Sequence, residues 1–276
     1  CPRAIRWCWS PGRSVPPCAR RVQKGRQATK AAAALLLMPP AGFKPMARGL
    51  LMALAGARRS LATLRDGDAL IETLEQLAAQ TKCAERPLLA IRKRLSERQV
   101  EDPRRRAEEI DRAVALLTRI ARQIEGLEPS RDDPKRLARQ IARNYRAMRR
   151  GIGKALADHD IELLHSMRKQ VIIHRHQLAF LASLTARPSL SKALISRERA
   201  TKSLGVLVGT HRDLHLLDEA LRPLGTPALR TTVEALLGTI NRLQDDLLAD
   251  AADLARRLTR RKGKDLARLI RAGLDR

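Results

Sequence analysis

Residues 136–156, RLARQIARNYRAMRRGIGKAL, predict an α-helix with one apolar face and one basic face. The apolar positions recur at helical spacing and form a core-facing stripe of Leu137, Ile141, Tyr145, Met148, Ile152 and Leu156. At about 100° per residue, the opposite face gathers five cations within an arc of roughly 80°. We name these five residues the cationic stripe: Arg139, Arg143, Arg146, Arg150 and Lys154.

No Asp or Glu lies between residues 136 and 157, so the cationic stripe has no acidic partner within its own helix. Like charges at i,i+4 destabilise a helix by a few tenths of a kcal/mol per pair. A sequence that accepts this cost repeatedly predicts an extended anionic ligand. The whole chain agrees, since its 276 residues carry 55 Lys and Arg against 29 Asp and Glu, a net charge of +26. Such an imbalance indicates a polyanionic partner or an acidic membrane surface.

The aromatic content separates two kinds of polyanion. The chain has two Trp, one Tyr and two Phe. Trp7 and Trp9 fall in an atypical N-terminal stretch, which leaves Phe43, Tyr145 and Phe180. Proteins that bind single-stranded nucleic acids stack bases on aromatic side chains. The basic surface is therefore suited to phosphates without bases.

Several other function classes find no support in the sequence. The four cysteines match no zinc spacing or disulfide framework, which favours a reducing cytoplasm and predicts no metal and no cofactor. The longest apolar run, 31–38, is too short to span a bilayer, and although a basic segment precedes it, no convincing signal-peptide cleavage site follows. There is no Gly-rich phosphate loop and no nucleophile motif, so we predict no catalytic residues.

Nearly everything after residue 20 predicts helix, because no segment alternates with period two. Pro and Gly positions, Gly67 among them, divide the pattern into helices at 20–38, 46–64, 67–82, 86–99, 104–126, 135–157, 160–185, 190–209, 211–222, 227–261 and 264–273. Residues 158–162 form a turn rich in helix-capping side chains. The clearest boundary is the Pro- and Asp-bearing segment 125–134. We expect residues 1–19 to be disordered or wrongly assigned, and 20–128 and 135–276 to be two helical halves of one domain.

A second basic cluster lies on the helix that follows residue 160. Arg168, Lys169, Arg175 and His176 fall within about 120° of helix face, opposite an apolar stripe. His165 stands beside this basic face and could donate a hydrogen bond to a phosphate oxygen, although a surface or core role stays open. His174 lies in the middle of the apolar arc, which predicts a core histidine.

Three motifs of the second half together resemble the CHAD family, the conserved-histidine α-helical domains. They are a Tyr-Arg-Ala-Met-Arg-Arg stretch at 145–150, His-Ser-Met-Arg-Lys at 165–169 and Leu-Val-Gly-Thr-His-Arg-Asp-Leu at 207–214. In the first half, 61–74 is similar to the family's Leu-x-x-x-Arg-Asp helix, and 23–30 stands where its first histidine helix is expected. The resemblance covers about residues 20–260.

The chain departs from the family pattern at four positions. Gln23 replaces the first-half histidine, and Ile172 stands where the family usually has Lys or Arg. Arg175 and His176 occupy positions where a Trp-Tyr or Arg-Tyr pair is expected. We therefore expect an intact fold whose anion site is partly rebuilt around Arg175 and the cationic stripe.

The resemblance implies an all-α fold of two similar antiparallel four-helix-bundle-like halves around a central basic groove. It implies binding of inorganic polyphosphate and association with polyphosphate granules in the cytoplasm, without membrane attachment. Arg suits this ligand because its guanidinium grips two phosphate oxygens. The predicted polyphosphate-binding residues are Arg26, Lys30, Arg139, Arg143, Arg146, Arg149, Arg150, Lys154, His165, Arg168, Lys169, Arg175 and Lys202.

Three alternatives remain at this stage. A nucleic-acid-associated protein fits the charge, with nucleic acid as a competing polyanion, but no helix-turn-helix or zinc signature is present. A triphosphate hydrolase of the kind sometimes fused to CHAD modules needs a Glu-x-Glu-x-Lys strand to hold metal ions, and the chain has no such string. A degenerate helical scaffold with a solvated basic exterior is the third.

Overall fold

The structure is a computed structural model that describes residues 17–39, 43–81, 83–97, 103–125, 134–158 and 160–274. Within these ranges it is built from helices and contains no strand, so the all-α prediction is confirmed. The α-helices are α1 (Pro17–Leu36), α2 (Lys44–Thr81), α3 (Glu85–Glu97), α4 (Pro103–Glu125), α5 (Pro134–Asp158), α6 (Ile161–Leu184), α7 (Pro188–Leu221), α8 (Arg230–Thr259) and α9 (Gly263–Leu274). None of them is long and apolar enough, over the residues described, to span a bilayer.

Local sequence signals mark several helix starts. α5 begins at Pro134, and α7 has Pro188 in its first turn, where the missing N–H would have no partner in any case. The carboxylate of Asp160 caps α6 by accepting hydrogen bonds from the amides of Glu162 at 2.7 Å and Leu163 at 3.2 Å. The predicted capping turn before α6 is thus confirmed. Residues 1–16, and residues 126–133 of the predicted boundary at 125–134, lie outside the described residues.

Three predicted helix ends are wrong. α2 runs through Gly67, and α7 runs through residues 209–211, so each is one helix where two were predicted. A lone glycine costs a helix about 1 kcal/mol relative to alanine, and tertiary packing along a 38-residue helix offsets that cost. α8 begins at Arg230 instead of residue 227, because a 3-10 helix at Arg222–Leu224 and a turn occupy the preceding residues.

The largest apolar core lies between α5, α6, α7 and α8, and α9 covers one side of it. α5 contributes its apolar stripe, and α9 contributes Leu266 and Ile270. This arrangement leaves the opposite face of α5 at the surface, where the cationic stripe lies.

Two smaller cores join the other helices to this one. α2 and α3 pack on the end of α7 and the start of α8 through residues such as Leu74, Leu217 and Leu236. α1, α2 and α4 share a third core around Leu54. α1 also packs on α6, where the side-chain amide of Gln177 donates a hydrogen bond to the Ala34 carbonyl at 3.2 Å. The contacts between α1 and α6 therefore bring the N-terminal helices against the second half of the chain.

Candidate anion-binding surfaces

α5 has the two faces that its sequence predicts. Its apolar stripe is buried at Ile141, Tyr145, Met148 and Ile152, with Leu137 and Leu156 half-buried at its ends. All five residues of the cationic stripe are exposed. At 1.5 Å per residue, the stripe extends about 22 Å along the helix. It is therefore a long and narrow basic surface on a rigid element.

Four of the five cations in the cationic stripe are not neutralised by the residues that the structure describes. Among the described residues, no carboxylate forms an ion pair with Arg143, Arg146, Arg150 or Lys154. Arg146 donates from Nε to the Ala142 carbonyl at 3.3 Å, a hydrogen bond within its own helix that brings no negative charge. The positive charge of these four residues is therefore available to a ligand.

Tyr145 anchors α5 to the C-terminal helices. Its hydroxyl lies 2.7 Å from the Arg261 carbonyl and 3.0 Å from the Leu258 carbonyl, and it can donate its proton to either. The Leu258 carbonyl also accepts a hydrogen bond from Arg197 Nη2 at 2.6 Å. The guanidinium of Arg197 stands over the Tyr145 ring, 4.9 Å from its centroid, in cation–π geometry. These contacts fix the end of α8 on α5 and α7.

α9 meets α5 beside Arg146, in the middle of the cationic stripe. A β-carbon built on Gly263 would stand 2.7 Å from Cγ and 3.1 Å from Cδ of Arg146, and 3.6 Å from the Ala142 carbonyl oxygen. Any larger residue at 263 would force the Arg146 side chain or one of the two helices to move. The contact sets the start of α9 beside the middle of the stripe.

His174 is a core residue, as predicted. Its ring is fully buried and its centroid lies 5.1 Å from that of Tyr145. Neither ring nitrogen has a hydrogen-bond partner among the described residues. Burial, and then the positive charge of Arg197, lower the pKa of His174 to about 3. The ring is therefore neutral at physiological pH.

On α6, Arg168 is directed toward α7. A β-carbon on Gly209 would stand 3.1 Å from both Nε and Nη2 of Arg168, so the guanidinium lies against the glycine. Lys169 is exposed, and Ile172 is half-buried. The side chain of His165 lies outside the described residues.

Arg175 is already paired. Its Nε donates to Glu198 Oε1 of α7 at 2.7 Å, in an ion pair whose side chains are 34% and 18% exposed. Neighbouring His176 has a lowered pKa, because of burial first and then the charges of Arg175 and Lys30, while Glu198 opposes the shift. Lys30 of α1 therefore lies near the α6–α7 contact. Glu198 leaves this cluster less positive than the sequence of α6 predicts.

The predicted residues belong to two groups of helices. The cationic stripe and exposed Arg149 belong to α5, and Arg146 faces α9. Gly151, about 140° further round the helix, faces α6, where its β-carbon would be 3.9 Å from Met167. The remaining residues belong to α1, α6 and α7, where the side chains that can be assigned are half-buried or exposed: Arg26, Lys30, Arg168, Lys169, Arg175 and Lys202.

Sequence reasoning missed the contribution of the C-terminal helices. In the sequence, the segment Arg-Arg-Lys-Gly-Lys at 260–264 predicts only a break between the helices at 227–261 and 264–273. Its clustered cations were the available signal, but nothing local indicates that they dock on α5. Glu198 was missed for a similar reason, since 23 residues separate it from Arg175.

The described residues form an all-helical bundle with an exposed basic face on α5, and they contain no His, Cys, Asp or Glu cluster that could hold a metal ion. The class of protein that these features define is a helical bundle with a basic surface. The chain belongs to the CHAD family: the family model of the CHAD domain matches residues 21–222. This confirms the resemblance, and the family is known for polyphosphate binding. The match ends before α8. No curated protein and no solved structure is significantly similar to the chain.

Proposed function

We propose that the protein binds inorganic polyphosphate through Lys- and Arg-lined helix faces and acts as a binding protein without cofactor or catalysis. The observation that carries the proposal is the cationic stripe, whose members at 143, 146, 150 and 154 are exposed and have no acidic partner among the described residues. A linear polyphosphate carries charge along its whole length and matches such a row. Release of condensed counterions would supply much of the binding free energy, as it does for other polyanions.

The aromatic residues favour a ligand without bases. Tyr145 is fully buried, and Phe180 and Phe43 are half-buried. Trp7 and Trp9 lie outside the described residues. No described aromatic side chain is thus exposed beside the cationic stripe to stack a base. This supports polyphosphate over single-stranded nucleic acid.

The second part of the proposal concerns α1, α6 and α7. We propose that the two halves, 20–128 and 135–276, resemble each other and enclose a basic groove. Arg26, Lys30, Lys169 and Lys202 would contact the ligand there, with His165 as an additional donor. The packing of α1 on α6 and the charge of Lys30 near His176 support this placement. A cytoplasmic location at polyphosphate granules belongs to the same proposal.

Charge-matched variants test the cationic stripe. Arg143→Gln with Arg150→Gln removes two exposed stripe cations and leaves the apolar face of α5 unchanged. Arg86→Gln with Arg94→Gln removes the same charge from exposed positions of α3. A charge-assisted contact contributes about 1.5 kcal/mol or more, which is roughly tenfold in Kd. Titration of labelled long-chain polyphosphate should show at least a tenfold loss for the stripe pair and under threefold for the α3 pair.

Equal losses from the two pairs would contradict the proposal, because they would indicate a diffuse electrostatic surface. We name the exposed basic positions of α6 and α7, Lys169 and Lys202, the α6–α7 surface. Lys169→Gln with Lys202→Gln tests this surface in the same assay. Competition of duplex DNA against polyphosphate decides between the two polyanions. If duplex DNA displaces the labelled polyphosphate at a lower concentration of phosphate groups than unlabelled polyphosphate does, the nucleic-acid alternative is the better one.

A further inference from the structure

A second row of cations lies beside the cationic stripe, in the connection between α8 and α9. We name residues 260–264 the basic turn, because Arg260, Arg261, Lys262 and Lys264 are all exposed. The basic turn lies beyond residue 222, where the family match ends. It is therefore a feature of this chain that membership in the family does not assign.

The acids nearest to the basic turn in sequence are engaged elsewhere. Asp253 pairs with Arg256, and Asp265 pairs with Arg268 at 3.1 Å. In the part of the chain that the structure describes, no ion pair involves the four cations of the basic turn. Like Arg143, Arg146, Arg150 and Lys154 of the cationic stripe, the basic turn carries charge that no described carboxylate neutralises.

The basic turn is held on α5 by three contacts. The Tyr145 hydroxyl lies 2.7 Å from the Arg261 carbonyl, and the backbone of Gly263 lies so near Arg146 that a β-carbon there would stand 2.7 Å from Cγ of Arg146. Further along α9, buried Leu266 and Ile270 pack into the core beneath α5. Backbone atoms of the turn make the first two contacts. The backbone that carries the four cations is therefore held in place, while their charged side chains stay in solvent. The cationic stripe and the basic turn therefore belong to one rigid surface.

We propose that the basic turn is a second contact site for the same polyphosphate chain, which would lie between the turn and the middle of the cationic stripe. This inference rests on the proposed function. The contact at Arg146 places the turn at the side of the stripe, so cations would reach the ligand from two directions. A ligand already held by the stripe meets the turn at a high effective concentration, which raises affinity without any rearrangement.

The test compares two triple variants of the full chain. Arg260→Gln with Lys262→Gln and Lys264→Gln removes three cations of the basic turn. Arg86→Gln with Arg94→Gln and Arg230→Gln removes three exposed cations near the start of α8. α8, a helix of 30 residues and thus roughly 45 Å long, separates Arg230 from the basic turn. Circular dichroism and thermal unfolding establish that both variants are folded.

We expect the turn variant to bind long-chain polyphosphate at least tenfold more weakly than the wild type at low salt, and the control variant less than threefold. The slope of log affinity against log salt should also fall by about 2 in the turn variant, since each lost phosphate contact removes about 0.7–0.9 in nucleic-acid systems. Equal affinities and slopes for the two triple variants would overturn the inference. If Arg143→Gln with Arg150→Gln still weakens binding in that case, the proposed function stands; if it does not, both fall.

Discussion

Arg146 of α5 and Gly263 of α9 approach each other so closely that residue 263 has no room for a side chain. A β-carbon there would lie 2.7 Å from Cγ of Arg146, well inside van der Waals contact. Cγ moves only when χ1 of Arg146 changes, so relief of the contact requires another χ1 rotamer or a shift of one helix. The contact joins the C-terminal helix to the middle of the basic face, so its geometry bears on both stability and binding.

Gly263→Ala should destabilise the protein by about 1–3 kcal/mol, the usual cost of forcing extra volume into a packed contact. Gly153→Ala on the same face of α5 is the matched control, since nothing lies within 4 Å of its β-carbon. It should stabilise the helix by about 0.5–1 kcal/mol. Urea unfolding of the two variants measures both effects. A Gly263→Ala variant as stable as the Gly153→Ala variant would contradict the close contact.

Tyr145→Phe keeps the ring beneath Arg197 and removes only the hydroxyl. The Arg261 carbonyl then loses a partner, while the Leu258 carbonyl keeps its hydrogen bond from Arg197. We expect a loss of about 1–2 kcal/mol in the free energy of unfolding. Hydrogen exchange should increase in residues 260–266 and stay unchanged in α3. Unchanged exchange at 260–266 would show that the hydroxyl does not hold the basic turn.

Glu198→Gln removes the carboxylate that pairs with Arg175 and leaves a side chain of the same shape. If the α6–α7 surface binds polyphosphate, affinity should rise about threefold or more, because Arg175 regains its full charge toward the ligand. Stability should fall by about 1 kcal/mol, as for a partly exposed ion pair with good geometry. Glu219→Gln on the same helix is the control, since that exposed carboxylate lies 3.5 Å from His215 Nε2 and has no ion pair with Lys or Arg among the described residues. The same affinity in both variants would place the ligand elsewhere.

His174 makes stability depend on pH. In the unfolded chain its pKa is near 6.5, whereas in the fold burial lowers the pKa to about 3. Below pH 6.5 the unfolded state therefore binds a proton that the folded state excludes, so stability is lost as pH falls from 6.5 toward 3. Across that window, His174 lowers the free energy of unfolding by up to about 1.4 kcal/mol for each unit by which the pH falls, and above pH 6.5 it has no such effect.

His174→Leu removes the titrating group and its pH-dependent effect on stability, and it keeps a side chain of similar volume in the core. Urea unfolding at pH 7.5, 6.0 and 5.0 should show that the wild type loses stability faster than the variant as pH falls. The variant also lacks the two buried ring nitrogens that have no hydrogen-bond partner among the described residues. The free energies of unfolding of the two proteins therefore need not agree at pH 7.5. Parallel pH curves would mean that His174 takes up a proton in the fold as readily as in the unfolded chain.

The sequence was sufficient where a single helix carries the whole signal. The two faces of α5 could be predicted because burial and charge alternate within one helical period, and the capping turn at Asp160 depends only on residues next to it. The core position of His174 followed from the same periodicity. These features are local, and local patterns survive packing.

Features that depend on two distant segments could not be predicted. Gly67 appeared to end a helix because its intrinsic preference is weak, yet the packing on both sides carries α2 through it. The pairing of Arg175 with Glu198 needs the register of α6 against α7, which no single segment contains. The docking of the basic turn requires α8 to return along the bundle before residue 261 can meet Tyr145.

α8 also shows how far the folding unit extends. The family match ends at residue 222, but α8 supplies Val233, Leu236 and Ile240 to one apolar core and Ala251, Ala255 and Leu258 to another. A fragment that stops at the limit of recognisable similarity would leave both cores open to water. Such a fragment should self-associate on expression instead of folding as a monomer, because it lacks α8, the helix that completes both apolar cores.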